Sequence, residues 1–302
     1  MLRARARATG FQMVADMVWQ MSTISPLRAL VLGGGGLTGI AWETGLLLGL
    51  ERAGLPLRTA DLIVGTSAGS TVAAQIAGPT PLEELYAGQI EGRVRELPGK
   101  LGVLGMIRLL LTMRANQDER AALAKIGAAA LRAQTVAESA RFAVIEQRLP
   151  THTWPTVALK IPAVNAVTGE FTVFDATSGV ELPAAVAASC AVPMLWPPVT
   201  IGTERYFDGG IRSVANVDLA AGYDRVIVIT PQTQGLRKGS APADQLTALG
   251  AARSALVAPD AAVRSAMGRN ALDPAARAAS AVAGFEQANR VADDVRTAWG
   301  LD

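Results

Sequence analysis

One cysteine and one histidine stand among 302 residues, aromatic side chains make up 5%, and charged ones 18%. Each scarcity excludes something. A lone Cys190 forms no internal disulfide and no thiolate metal cluster, so a disulfide-stapled secreted scaffold is out. A lone His152 rules out His-rich metal sites and allows at most one imidazole in any mechanism. The charge is nearly balanced, 28 Lys and Arg against 26 Asp and Glu, which lacks the basic face of a nucleic-acid binder. No apolar run reaches the ~20 residues of a spanning helix; the nearest, Leu101 to Met113, contains Arg108. What is abundant is apolar: half of all residues, enough to bury a large core.

Residues 1–27 differ from the rest. Arg3, Arg5 and Arg7 precede a weakly amphipathic stretch in which Asp16 and Gln20 break the apolar run, which argues against a secretory signal. The expectation is an N-terminal arm, with a membrane-surface anchor as its alternative. From residue 28 to 302 a single α/β domain is expected. Ala29–Leu32, Asp61–Val64 and Arg225–Ile229 read as buried strands, each an unbroken apolar or near-apolar run. Leu37 to Arg52 has helical spacing and ends before Gly54. Thr80-Pro81-Leu82-Glu83 predicts a helix with Thr80 as its cap, and 80–149 reads as helices only. Val157 to Asp175 reads as strands folded back at Thr168-Gly169, Pro183 to Ser189 as a helix, and Gly202-Thr203 as a hairpin turn leading to Asp208. The last sixty residues read as mostly helical, with Asp273 capping a helix that begins at Pro274.

Three motifs carry chemistry. Gly65-Thr66-Ser67-Ala68-Gly69 follows a strand and opens a helix, the context of a nucleophile elbow; the tight turn needs small neighbours, and the helix N-terminus behind Ser67 favours developing negative charge. Gly33 to Gly39, in GGGGLTG, exposes backbone N–H groups suited to an anion. Gly34, Gly36 and Gly39 also satisfy a dinucleotide fingerprint, but that reading wants an acidic residue closing the second strand. Glu51 lies inside the helix and Asp61 precedes the strand, so an oxyanion hole is the better expectation. Asp208-Gly209-Gly210 on its own is a turn, since Asp bonds its own backbone and Gly supplies unusual dihedrals.

A nucleophilic serine needs a proton acceptor. An α/β-hydrolase triad places its histidine late in the chain, whereas His152 precedes Asp208 and sits between Pro150 and Pro155 in a loop. A carboxylate acting directly on serine is the remaining arrangement, with Asp175 and Asp224 as reserve candidates. Cys190 reads as packing. The apolar residues of 105–111 read as a core-facing helix, or as part of an insert that covers the serine and lines an acyl channel.

From about Leu30 to Pro231 the chain resembles the patatin-like phospholipases. The resemblance rests on Gly34-Gly35-Gly36, on Ser67 in its elbow, on Asp208-Gly209-Gly210, on Ala188 to Pro193 with Pro197-Pro198-Val199, and on the hairpin around Val164 to Glu170. It implies a three-layer α/β/α fold with a mainly parallel central sheet and a helical insert over the active site. It also implies a lipid acyl hydrolase of phospholipase A or esterase type, with a Ser67–Asp208 dyad and an oxyanion hole at Gly34, Gly35, Gly36 and Leu37. No cofactor, metal or nucleic acid is expected; the expected partner is a lipid or ester substrate, with peripheral membrane contact and a cytoplasmic location. The family usually carries Lys or Arg two residues after the last oxyanion glycine, and here that residue is Thr38. The departure bears on charge assistance near the hole and on preference for anionic head groups.

Overall fold

The computed structural model describes residues 25–97, 109, 111–116 and 118–301. The expected arm therefore lies almost wholly outside the described residues. Strands β1 (Arg28–Leu32), β2 (Leu62–Gly65), β3 (Ala158–Asn165), β7 (Arg225–Ile229) and β8 (Arg253–Val257) form a parallel row in the order β3-β2-β1-β7-β8. On the β3 side the eight-stranded sheet turns antiparallel through β4 (Phe171–Phe174), β5 (Val199–Ile201) and β6 (Glu204–Asp208).

The apolar runs of the central strands follow from burial on both faces. In β1, Leu30 and Leu32 join the larger core, while Ala29 and Val31 pack on the opposite face with Val226 and Val228. The larger core is closed by α1 (Gly36–Arg52), α2 (Ala68–Ile76), α3 (Leu82–Glu91), α6 (Leu182–Ser189) and the long C-terminal α9 (Arg277–Trp299). The other face is covered by Val217 to Ala220 and by Leu246 and Leu249 of α7 (Pro242–Leu249). The insert contributes α4 (Glu119–Arg132) and α5 (Glu138–Arg148); Leu123 and Ile126 of α4 pack on Val164 and Phe207. Between β8 and α9 lies α8 (Ala261–Met267). Helices on both faces of one mixed sheet make this the expected three-layer α/β/α architecture.

Two expectations are corrected. Thr80 is not the cap of α3: Pro81 holds the cap position with extended ψ 144° and no side chain bonds the first turn, where Glu83 and Glu84 complement the helix dipole instead. The last sixty residues also hold β8, which sequence pattern did not reveal. Arg253 and Ser254 are exposed at this edge, and the segment has little β-branched content, so neither alternation nor an apolar run marks it.

Helix α1 is buried along its whole length from Leu37 to Leu50 and crosses α9 closely. A Cβ at Gly45 would collide with the Ala281 carbonyl, and one at Gly284 with the Trp42 carbonyl. The obstacles are backbone, which cannot step aside. Gly45→Val is expected to cost about 3 kcal/mol or more, against about 1 kcal/mol for Gly54→Ala, whose φ is +79° with open space around it. Urea midpoints of the two variants check the difference.

Candidate active site

Strands β1, β2 and β7 run parallel with Leu32, Gly65 and Ile229 in register, so the chain leaves all three at one sheet edge, where α/β folds place their sites. The first exit is the glycine loop, the second the serine elbow. Ser67 has φ 53° and ψ −117°, a conformation that side-chain-bearing residues avoid. Its surroundings over-determine that strain. Ser67 N–H donates to Ser189 Oγ at 3.0 Å, and its carbonyl accepts from Ser70 Oγ at 2.7 Å and Cys190 Sγ at 3.1 Å. A Cβ at Gly69 would strike the Leu32 carbonyl, so the small flanking residue is a requirement of close approach.

Asp208 reaches the same point from the far side of the sheet. On β3, residues Ala163 and Val164 pair with both β4 and β6, so these two strands occupy opposite edges. β2 pairs with the start of β3 and β6 with its end, in opposite directions, and the two strands finish facing each other. Ser67 Oγ donates to Asp208 Oδ2 at 2.6 Å, and Gly210 N–H donates to Oδ1 at 2.7 Å. Asp208 is 2% exposed. Burial raises its carboxyl to about 7, opposed by the hydrogen bonds from Ser67 and Gly210.

Asn216 is a supporting residue that sequence reasoning missed. It is fully buried in a left-handed conformation, φ 48°. Its Nδ2 donates to Thr66 Oγ1 at 3.2 Å, to Gly209 O at 3.3 Å and to Ser213 O at 2.8 Å, tying the serine elbow to the aspartate turn. An Asn eight residues past Asp208 carried no local signal of this link.

The four positions expected to form the hole are not equivalent. Gly34 N–H is committed to Val214 O at 2.7 Å, so Gly34 drops out as a donor. It matters instead as clearance, since a Cβ there would lie 3.4 Å from Ser67 Cβ. The N–H groups of Gly35, Gly36 and Leu37, and of Ala68 after the serine, have no acceptor among the described residues. Thr38 is fully buried with its hydroxyl unpartnered, and its N–H donates to Ala271 O at 3.1 Å.

Ser67, Asp208 and Gly34 to Leu37 line a cavity of about 350 Å³, whose apolar wall includes Leu97, Leu109, Leu195, Trp196 and Ile211. Leu97 and Leu109 come from the insert, as an acyl channel would require, although the stretch 98–108 lies outside the described residues. The insert also brings Glu96, Arg141 and Arg148, a charged wall that the sequence reading missed. The spacing of Arg141 and Arg148, two helical turns apart on one face of α5, was the available signal. His152 is exposed, with its ring nitrogen 3.3 Å from Glu146 O, and is not part of the cavity. Asp175 is used up in its own turn with Thr177 and Ser178, and Asp224 accepts from Leu27 N–H at 2.8 Å. Cys190 is buried beside the elbow, and burial pushes its thiol up rather than toward the reactive thiolate.

The dinucleotide reading loses its acidic partner. Asp61 lies before β2, at the sheet edge opposite the glycine loop, where its carboxylate accepts from Arg28 N–H at 2.8 Å.

Among the described residues, no helix is long and apolar enough to cross a membrane. No curated protein sequence matches this chain. Its structure is similar to that of VipD from Legionella pneumophila, at 14% identity and a TM-score of 0.46, over 89% of this chain and 67% of VipD. It is also similar to the type III effector protein ExoU, at 18% identity and a TM-score of 0.41, over 90% of this chain and 53% of ExoU. A family model described as patatin-like phospholipase matches residues 30–221, about two thirds of the chain. The chain therefore belongs to the patatin-like phospholipases, hydrolases of carboxylic ester bonds in lipids.

Proposed function

We propose that residues 28–302 act as one domain that hydrolyses lipid acyl esters through a Ser67–Asp208 dyad and an acyl-enzyme. Asp208 takes the proton from Ser67 Oγ as that oxygen attacks the ester carbonyl carbon. The oxyanion is held by N–H groups of Gly35, Gly36, Leu37 and Ala68, helped by the N-terminus of α2. Collapse breaks the ester C–O bond, and Asp208 returns the proton to the departing alkoxide. A water, deprotonated by the same carboxylate, then attacks the acyl-enzyme and releases the acid, leaving Ser67 and Asp208 as they began.

The 2.6 Å contact between Ser67 Oγ and Asp208 Oδ2, at a serine held in a strained turn, is the observation that carries this reading. It also weighs against a catalytically idle lipid-binding scaffold, which would have no use for stored strain at a serine paired with a buried carboxyl. The test is a fluorophosphonate probe with mapping of the modified residue. Wild type is expected to be labelled at Ser67 and Ser67→Ala not at all; labelling that persists in Ser67→Ala refutes the assignment.

A further inference from the structure

Arg141 and Arg148 project from α5 into the wall of the cavity, beside Glu96. All three are nearly closed off from solvent, with side chains 8%, 7% and 3% exposed. Arg148 takes the Glu96 carboxylate bidentately, Nε to Oε1 at 3.1 Å and Nη2 to Oε2 at 2.5 Å. Arg141 approaches the same carboxylate only to 3.8 Å, beyond hydrogen-bond distance. Two guanidinium groups thus share one carboxylate. Arg277, behind them, donates to Val94 O and Gln89 Oε1.

The Arg141 guanidinium is stacked 4.1 Å from the centroid of Trp196, which fixes its plane. Its Nε and Nη1 are buried without any hydrogen-bond acceptor among the described residues. Buried donors are ordinarily satisfied, and charged ones above all, so this arrangement is incomplete without an acceptor that the described residues do not supply. The group lies near the reacting centre: Arg141, Arg148 and Cys190 line the same cavity as Ser67 and Asp208, and Cys190 Sγ is 3.1 Å from Ser67 O. Thr38, meanwhile, puts no charge on the glycine loop.

We propose that Arg141, backed by Arg148 and Glu96 and held flat by Trp196, forms a subsite for a singly charged oxyanion borne by the ester substrate, a phosphodiester, and so sets substrate preference. A planar guanidinium offers parallel pairs of N–H donors that match two oxygens of such a group, and its positive charge suits an anion. The inference rests on the acyl-hydrolase reading above and adds the determinant of selectivity to it.

The test compares dihexanoyl phosphatidylglycerol with neutral dihexanoylglycerol, both below their micellar concentrations, by release of hexanoate. Wild type is expected to favour the phosphodiester. Arg141→Gln is expected to lower kcat/KM for the phosphodiester about ten- to a hundredfold more than for the neutral ester, chiefly through KM. Arg141→Lys, which keeps the charge and loses the fork, is expected to fall between. Equal losses on both esters, or an unchanged ratio, in a variant whose circular dichroism matches wild type overturns the proposal. A second readout needs no turnover: calorimetric titration of Ser67→Ala with the phosphodiester is expected to show binding that Arg141→Lys in the same background weakens at least several-fold. Binding that ignores position 141 overturns the subsite. Failure of Ser67 to be labelled, with neither ester hydrolysed, would instead count against the acyl-hydrolase reading, while the titration still decides the subsite.

Discussion

Asp208→Asn is expected to lower kcat/KM for ester hydrolysis about a thousandfold or more while leaving the fold intact. The geometry explains both halves. An Asn oxygen at the Oδ1 position still accepts from Gly210 N–H, now 2.7 Å away, so the turn keeps its bond. An Asn amide at the Oδ2 position can only donate toward Ser67 Oγ, so the proton acceptor is gone. His152→Ala is expected to change nothing, because that ring is exposed on a loop outside the cavity. Initial rates on a soluble ester check the pair; activity that survives Asp208→Asn and vanishes with His152→Ala would return histidine to the mechanism. The same carboxyl sets the pH profile. It must be ionised to act as base, and burial holds it near 7, so kcat/KM is expected to rise as pH climbs toward about 7 and to level off above it. Stability runs the other way. A folded-state value raised from 3.8 to about 7 means that the native state binds the extra proton between those limits, so stability falls as pH rises through that window. The full penalty above pH 7 is about 4 kcal/mol, and Asp208→Asn, which has no charge to bury, is expected to melt higher than wild type at pH 8.

Gly36→Ala is expected to cost on the order of a hundredfold in kcat, with a smaller change in KM. Gly36 has φ +65°, and a Cβ there would lie 2.6 Å from the Ala271 carbonyl and 3.2 Å from Ala271 Cβ. Both the dihedral and the collision push the loop away from its position. The displaced groups are the N–H donors of Gly35, Gly36 and Leu37, and losing even one oxyanion donor typically costs a hundredfold or more. Gly222→Ala is the control: φ is +89° with no atom near the added methyl, and the residue lies outside the cavity. Its thermal midpoint should move and its kcat should not. Pre-steady-state acylation of the two variants separates the effects; a Gly36→Ala protein acylated at the wild-type rate would remove the loop from the oxyanion hole.

The motifs were legible because their physics is local. A strand that must be buried on both faces reads as an apolar run, as Ala29–Leu32 and Val226–Ile229 do. A serine in a left-handed turn needs small neighbours within two residues, and Gly65 and Gly69 announce it. A single histidine, placed before Asp208 in the chain, likewise points to a carboxylate as the base. Sequence by itself thus determined the α/β class, the elbow and the glycine loop. Only tertiary structure decided the rest. Asp208 stands 141 residues from Ser67, and they meet because β2 and β6 run toward each other on β3, a consequence of strand order that no spacing encodes. Gly34 and Gly35 are alike in sequence, yet Val214 O takes the N–H of one and leaves that of the other. Glu96, Arg141 and Arg148 look like solvated helix charges until the insert folds over the sheet edge and buries them. Burial then turns such residues into a charged wall on which Arg141 Nε and Nη1 find no acceptor among the described residues, because the energy of an unpaired donor depends on what surrounds it and not on its place in the chain.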